Sequence, residues 1–320
     1  MSNEIRLKFF LIKIFFLLEI CSTASAGQII YVDDDANGLN NGTSWQNAYI
    51  NLQDALSDAN SAEKPVEIRV AQGIYKPDQG TGITPGDKEA TFQLVNIISL
   101  KGGYGGVGEP DPDARNVELH KTILNGDLAD NDTPIDNPEL LNEEPPTRTD
   151  NSFYVVKVQK SNQSTEIDGF IISSGSYSGL YAASKTDIIV RDCLFTSNAC
   201  PGITSFSSNS VIESCIFRSN KNILGVGGGI VIGGNSRIFK CTFEDNFAAW
   251  DGGGLYGGDS LWLEDCTFIR NVACGLQCAD VGSGGGLHVS NFQEDSKIIN
   301  CIFIENIASQ IGRASCRERV

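Results

Sequence analysis

The chain has 320 residues, with 24 basic against 40 acidic side chains and a formal net charge of −16 at neutral pH. That excess of negative charge argues against nucleic acid and anionic membrane as partners, and it suits an exported protein that stays soluble. The length supports one sizeable domain, and solenoids grow without splitting into separate cores.

Both ends read as non-structural. Residues 1–26 have the form of a secretory signal: Arg6 and Lys8, then an apolar run over 9–20, then Ala24-Ser25-Ala26 as a small-residue cleavage site. Lys13 and Glu19 interrupt the run, which is too short for a membrane-spanning helix. Residues 311–320 read as a translated sequencing adapter, so the natural protein is expected to continue past residue 310, where an anchor to the outer membrane would be encoded. Setting both ends aside leaves 18 basic and 37 acidic residues over 27–310.

The segment 27–63 is read as a first strand, a loop and a capping helix. Residues 28–32 form the strand. Asp33, Asp35, Asn37 and Gly38 then spell the opening of a calcium loop. Its twelfth position is Ser44, where a bidentate carboxylate belongs, so a polar Asn-Gly turn is preferred and calcium is kept as the alternative. Ser44 reads as a helix N-cap, and Trp45, Ala48, Tyr49, Leu52, Ala55, Leu56 and Ala59 follow at helical spacing. This helix is expected to close the open end of a β-solenoid, where unpaired strand edges would otherwise aggregate.

The segment 64–163 holds irregular early strands, expected at 66–71, 91–95, 97–100, 122–124 and 153–158. Gly103, Gly105 and Gly108 match a dinucleotide fingerprint only formally, because Pro110 and Pro112 follow where a helix should start. Residues 126–151 are acidic and proline-containing, a long loop projecting from the solenoid. Asp127, Asp130 and Asp132 within it are read as solvated rather than calcium-binding.

The segment 164–310 is regular. Cys-x-Phe-x-x-Asn occurs five times: Cys193-Phe195-Asn198, Cys215-Phe217-Asn220, Cys241-Phe243-Asn246, Cys266-Phe268-Asn271 and Cys301-Phe303-Asn306. The cysteines are 22, 26, 25 and 35 residues apart, with an aliphatic residue three before each and a Gly-aliphatic step between repeats. A period of this size marks a solenoid. Cys-x-Phe has period two, which places both side chains on one face of a strand. The aliphatic at −3 breaks that parity, so a corner is expected between two short strands, and a third strand follows the Gly step. Three short strands per coil make an all-β right-handed parallel β-helix. In such a stack like lies on like: phenylalanines inside, cysteines as small hydrophobes, asparagines passing amide hydrogen bonds between coils. Cys274 and Cys278 sit in a Gly-rich insertion, and a local disulfide is expected there in an exported protein.

The repeated Gly-Gly-Gly-(Ile/Leu) and Phe-x-x-Asn resemble the repeats of polymorphic outer membrane proteins, within the wider group of pectin-lyase-like β-helix surface proteins. The resemblance covers 164–306. Tyr31 to Ala36 with Trp45, and Leu52 to Leu56, are similar to the amino-terminal part of secreted proteins of this kind. It implies a secreted or surface-displayed protein, and a glycan as its partner.

Chemistry is sparse. The enzymes of this fold act on acidic polysaccharides through a basic residue or grouped aspartates. Here the two histidines, His120 and His288, are not in a Gly-His-Gly, and no Arg-x-Lys occurs outside the signal segment. Asp245, Asp251 and Asp265 read as isolated turn residues. Trp250, beside Asp251, is a candidate for stacking on a sugar ring. The reading is therefore a non-catalytic, adhesin-like or carbohydrate-contacting scaffold without catalytic residues or an organic cofactor, with a polysaccharide lyase or glycoside hydrolase as the alternative.

Overall fold

The computed structural model describes residues 27–309 except 96, 134–145, 160–164, 184–185, 207–208, 259 and 275–281. The signal and adapter assignments, and Cys278, lie outside the described residues.

The chain winds as a solenoid whose strands pair in parallel with the equivalent strands of the coils before and after. Sheet A has nine strands: Gln28–Val32, Val66–Ala71, Ile98–Tyr104, Thr165–Asp168, Ile188–Arg191, Val211–Glu213, Arg237–Phe239, Trp262–Glu264 and Lys297–Ile299. Sheet B has eight, from Gly73–Tyr75 through Leu194–Thr196 to Ile302–Ile304, and carries the Cys-x-Phe motif. Sheet C has seven, from Phe92–Leu94 through Tyr154–Val158, Ser178–Ala182, Ile203–Ser205, Ile230–Ile232 and Leu255–Gly257 to Leu287–Val289. These are the three strands per coil expected from the motif.

A fourth sheet, D, was not expected. It consists of the two-residue strands Lys221–Asn222, Phe247–Ala248, Val272–Ala273 and Ile307–Ala308. Strands that short carry no periodicity in the sequence. They follow directly on Asn220, Asn246, Asn271 and Asn306, and the chain pairs there before it turns into sheet C.

Each corner has a physical cause. Asp192, Ser214, Lys240, Asp265 and Asn300, the residues just before the cysteines, adopt left-handed backbone with φ of 48–55°. Ser197, Ser219, Asp245, Arg270 and Glu305, just before the asparagines, do the same at 50–57°. A non-glycine residue there costs about 1–2 kcal/mol, and the turn it makes points the next side chain into the stack. Phe195, Phe217, Phe243 and Phe268 are fully buried and stack on one another at 5.1, 5.0 and 4.5 Å, with Phe303 beyond at 4.8 Å. Burying each ring contributes about 1.5–3 kcal/mol, which offsets the corner strain. At the third bend Gly227, Gly252 and Gly284 have φ near +67°, and a Cβ there would meet the carbonyl oxygen three residues on at 2.2–2.5 Å.

The asparagines form the hydrogen-bonded file that joins coils. Asn198 Nδ2 donates to Asn220 Oδ1 at 2.8 Å, Asn220 to Asn246 at 3.0 Å, Asn246 to Asn271 at 2.9 Å and Asn271 to Asn306 at 2.9 Å. Cys193, Cys215, Cys241, Cys266 and Cys301 remain free thiols. The thiols hydrogen-bond along their file, and Cys266 is pushed up to about 12, chiefly by its bond with Cys241.

The helix is shorter than the stripe implied. It spans Leu52–Ser61 with Asn51 at its N-cap, and Leu52, Ala55, Leu56 and Ala59 enter the main core against the first strands of sheets A and C. Residues 44–50 do not join it. Tyr49 instead forms a parallel bridge with Val32: its N–H donates to the Tyr31 carbonyl, and its own carbonyl accepts from the Asp33 N–H, both at 2.9 Å. Trp45 packs on Tyr31 and Tyr104. Backbone pairing with the first strand wins over helical propensity here. Strand Val66–Ala71 matches its expectation, the other early strands are shifted by up to a few residues, and Gly73–Tyr75 was missed.

Candidate functional site

Three places gather chemistry-bearing side chains. The first follows the initial strand. The carboxylates of Asp33, Asp34 and Asp35 lie within 4.8 Å of one another. Asp33 is buried. Its Oδ1 accepts from the Asp35 N–H at 3.0 Å and its Oδ2 from the Val107 N–H at 2.6 Å. Burial pushes the Asp33 carboxyl up, as it does that of Asp34. Asn37 Oδ1 accepts from Gln46 Nε2. The motif reading named Asp33, Asp35 and Asn37; the fold adds Asp34 to the carboxylates and gives Asn37 a partner of its own. In the acidic loop Asp127 caps the Asn131 and Asp132 N–H groups, Asp130 pairs with Lys76 at 2.6 Å, and Asp132 accepts from Asn151 at 3.0 Å.

The second place is the outward face of sheet A, a ladder of paired charges. Glu67 binds Arg69 and Lys101, both at 2.7 Å; Arg191 links Glu166 and Glu213; Lys240 reaches Glu213 at 3.6 Å. Trp262 lies between Arg237 and Lys297, at 4.9 and 4.5 Å from its ring centre, so both its faces are taken. Asp168 is held by Arg115 at 2.5 Å, and Asp192 nearby is pushed up by burial first and by Asp168 second.

The third place is the outward face of sheet C. Register puts Gln93, Lys157, Tyr181, Thr204, Val231, Tyr256 and His288 in one row along the solenoid. At its early end Phe153 and Tyr177 stack with centroids 4.7 Å apart and planes 5° apart. Tyr154 meets Tyr177 edge-on at 5.9 Å and Tyr181 at 5.0 Å. Lys88 and Lys157 sit 5.4 and 5.5 Å from the Phe153 and Tyr154 ring centres. Among the described residues neither lysine has a carboxylate partner, in contrast to Arg69, Lys101, Arg191 and Lys240 along sheet A. Tyr177 is 53% exposed. Sequence reasoning missed this cluster, although the residue after each Gly-aliphatic step reads Tyr181, Thr204, Val231, Tyr256, His288, a column visible in the repeats.

The remaining sequence candidates fall elsewhere. Asp245 pairs with Arg270 at 2.7 Å and Asp265 accepts from Asn300 at 2.5 Å, both between neighbouring corners. His120 Nδ1 lies 3.4 Å from Gln72 Oε1. Cys274 is disulfide-bonded; the Cys278 expected opposite it lies outside the described residues. Trp250 is 55% exposed and adjoins Asp251.

Residues 146–254 match the family model described as the right handed beta helix region. The chain is a right-handed parallel β-helix. No curated protein matches this β-helix. Among solved structures, the crystal structure of a pectate lyase aligns with a TM-score of 0.45 and 16% identity, over 89% of this chain and 79% of that one.

Proposed function

We propose that this is a secreted or cell-surface β-helix that contacts carbohydrate, without turning it over, through the outward face of sheet C. The observation that carries the reading is the half-exposed cluster of Phe153, Tyr154, Tyr177 and Tyr181, flanked by two lysines that have no acidic partner among the described residues. Flat aromatic faces pack on the apolar faces of sugar rings, and the ammonium groups donate to hydroxyl or carboxylate oxygens. On sheet A, Glu67, Glu166 and Glu213 are paired with Arg69, Lys101, Arg191 and Lys240, and Trp262 has both faces covered by Arg237 and Lys297.

One observation favours a second reading, a glycoside hydrolase. A carboxyl pushed up, Asp192, next to a carboxylate held by arginine, Asp168, is the pattern of an acid and its charged partner. One experiment separates the two. The purified chain is titrated with a panel of plant, microbial and host oligosaccharides while reducing and unsaturated ends are assayed. Binding without release of ends is expected, with Tyr177→Ala and Tyr181→Ala each weakening affinity about tenfold. Turnover abolished by Asp192→Asn would contradict the first reading and establish the second.

A further inference from the structure

The Gly triplets bring a second group of side chains together at the far end of sheet C. Asp251 and Ser283 each precede a triplet, and Tyr256 and His288 each follow the leucine after it. Pairing Leu255 with Leu287 therefore lays the His288 ring on that of Tyr256, with centroids 5.2 Å apart and planes 4° apart. The same register sets Ser283 on Asp251, with the Gly252 N–H donating to the Ser283 carbonyl at 3.0 Å.

The protons in this group can be assigned. The buried Ser283 hydroxyl donates to Asp251 Oδ1 at 2.6 Å, and the Ser283 N–H donates to the same oxygen at 2.8 Å. An ionised carboxylate only accepts, so the hydroxyl proton lies on that bond. The hydroxyl oxygen, 2.9 Å from His288 Nδ1, is then the acceptor, and Nδ1 carries the ring proton. Asp251 Oδ1 lies 3.9 Å from the same nitrogen, which favours the same proton position. In the neutral imidazole this tautomer leaves the Nε2 lone pair unprotonated, on a ring whose side chain is 19% exposed.

We propose that this is a second saccharide subsite, in which His288 Nε2 accepts a hydrogen bond from a hydroxyl of a neutral sugar and Tyr256 holds the ring at its angle. It rests on the reading of sheet C as a glycan-contact face and deepens it. Tyr181 and Tyr256 are three coils apart in one row, about 14 Å at the spacing of paired strands, so one extended chain lying along the solenoid would meet both. Asp251 and Ser283 are positioning residues that act through His288.

The ring tautomer is read by nitrogen NMR on the intact chain, with His288→Gln assigning the signal against His120. The Nδ1–H form is expected, and Ser283→Ala should shift the ring toward Nε2–H. In the saccharide titration His288→Ala should weaken binding about tenfold, equivalent to 1.4 kcal/mol. His288→Gln, which keeps an acceptor oxygen near the Nε2 position, should stay within about threefold of the wild type. A wild-type ring in the Nε2–H form, or a tautomer unchanged by Ser283→Ala, would overturn the assignment. Unchanged affinity in His288→Ala beside a loss in Tyr181→Ala would remove this subsite and leave the aromatic cluster standing. No binding by any saccharide would defeat both readings.

Discussion

Asn246 shows how one residue type holds successive coils together. Its Oδ1 accepts from the Asn220 N–H at 3.1 Å and from Asn220 Nδ2 at 3.0 Å, while its Nδ2 donates to the Phe217 carbonyl at 2.8 Å and to Asn271. Asn246→Ala leaves these groups buried and unpaired, and each costs about 1–3 kcal/mol. A loss of about 3 kcal/mol or more is expected in urea unfolding. Asn306→Ala, at the half-exposed end of the file, should cost less than half as much. Equal losses would contradict the burial argument. These residues were legible in the sequence because each coil repeats its own environment, so a column of identical residues implies a column of contacts. The left-handed corner residues were not. Asp192, Ser214, Lys240, Asp265 and Asn300 share a backbone conformation but no side-chain type, and the strain at each is compensated by the neighbour it turns inward.

At the scale of elements, the helix Leu52–Ser61 occupies the start of the core, where Leu52 and Leu56 meet the first strands of sheets A and C. Leu56→Ala opens a cavity there and should cost about 2–5 kcal/mol. Because repeat arrays transmit stability mainly to nearest neighbours, hydrogen exchange should show the loss concentrated in Gln28–Val32, Val66–Ala71 and Phe92–Leu94. Uniform loss through all coils would contradict that picture. The apolar stripe gave the buried residues of this helix correctly and its length wrongly, since nothing local to 44–50 records that Val32 offers Tyr49 a backbone partner. Sheet D escaped for a related reason: two residues per coil have no pattern until the coils are stacked.

Over the whole molecule, the paired charges of sheet A and the aromatic row of sheet C give the solenoid two chemically distinct long faces. The division was only half visible in sequence. The column after each Gly-aliphatic step carries Tyr181, Tyr256 and His288, but Phe153 and Tyr154 come from a coil without the cysteine motif, after a long insertion. Only the ring contacts of the folded chain join them to that row. Two earlier candidates, Trp250 and Asp251, lie next to it, and Asp251 takes its place through Ser283 rather than alone.

The most direct test of sheet C as the contact face is hydrogen exchange with and without a saturating oligosaccharide found in the titration. Protection should concentrate in Tyr154–Val158, Ser178–Ala182, Leu255–Gly257 and Leu287–Val289, with the sheet A strands unchanged. Protection confined to Thr165–Asp168 and Ile188–Arg191 of sheet A would place the ligand on the opposite chemistry and contradict the account.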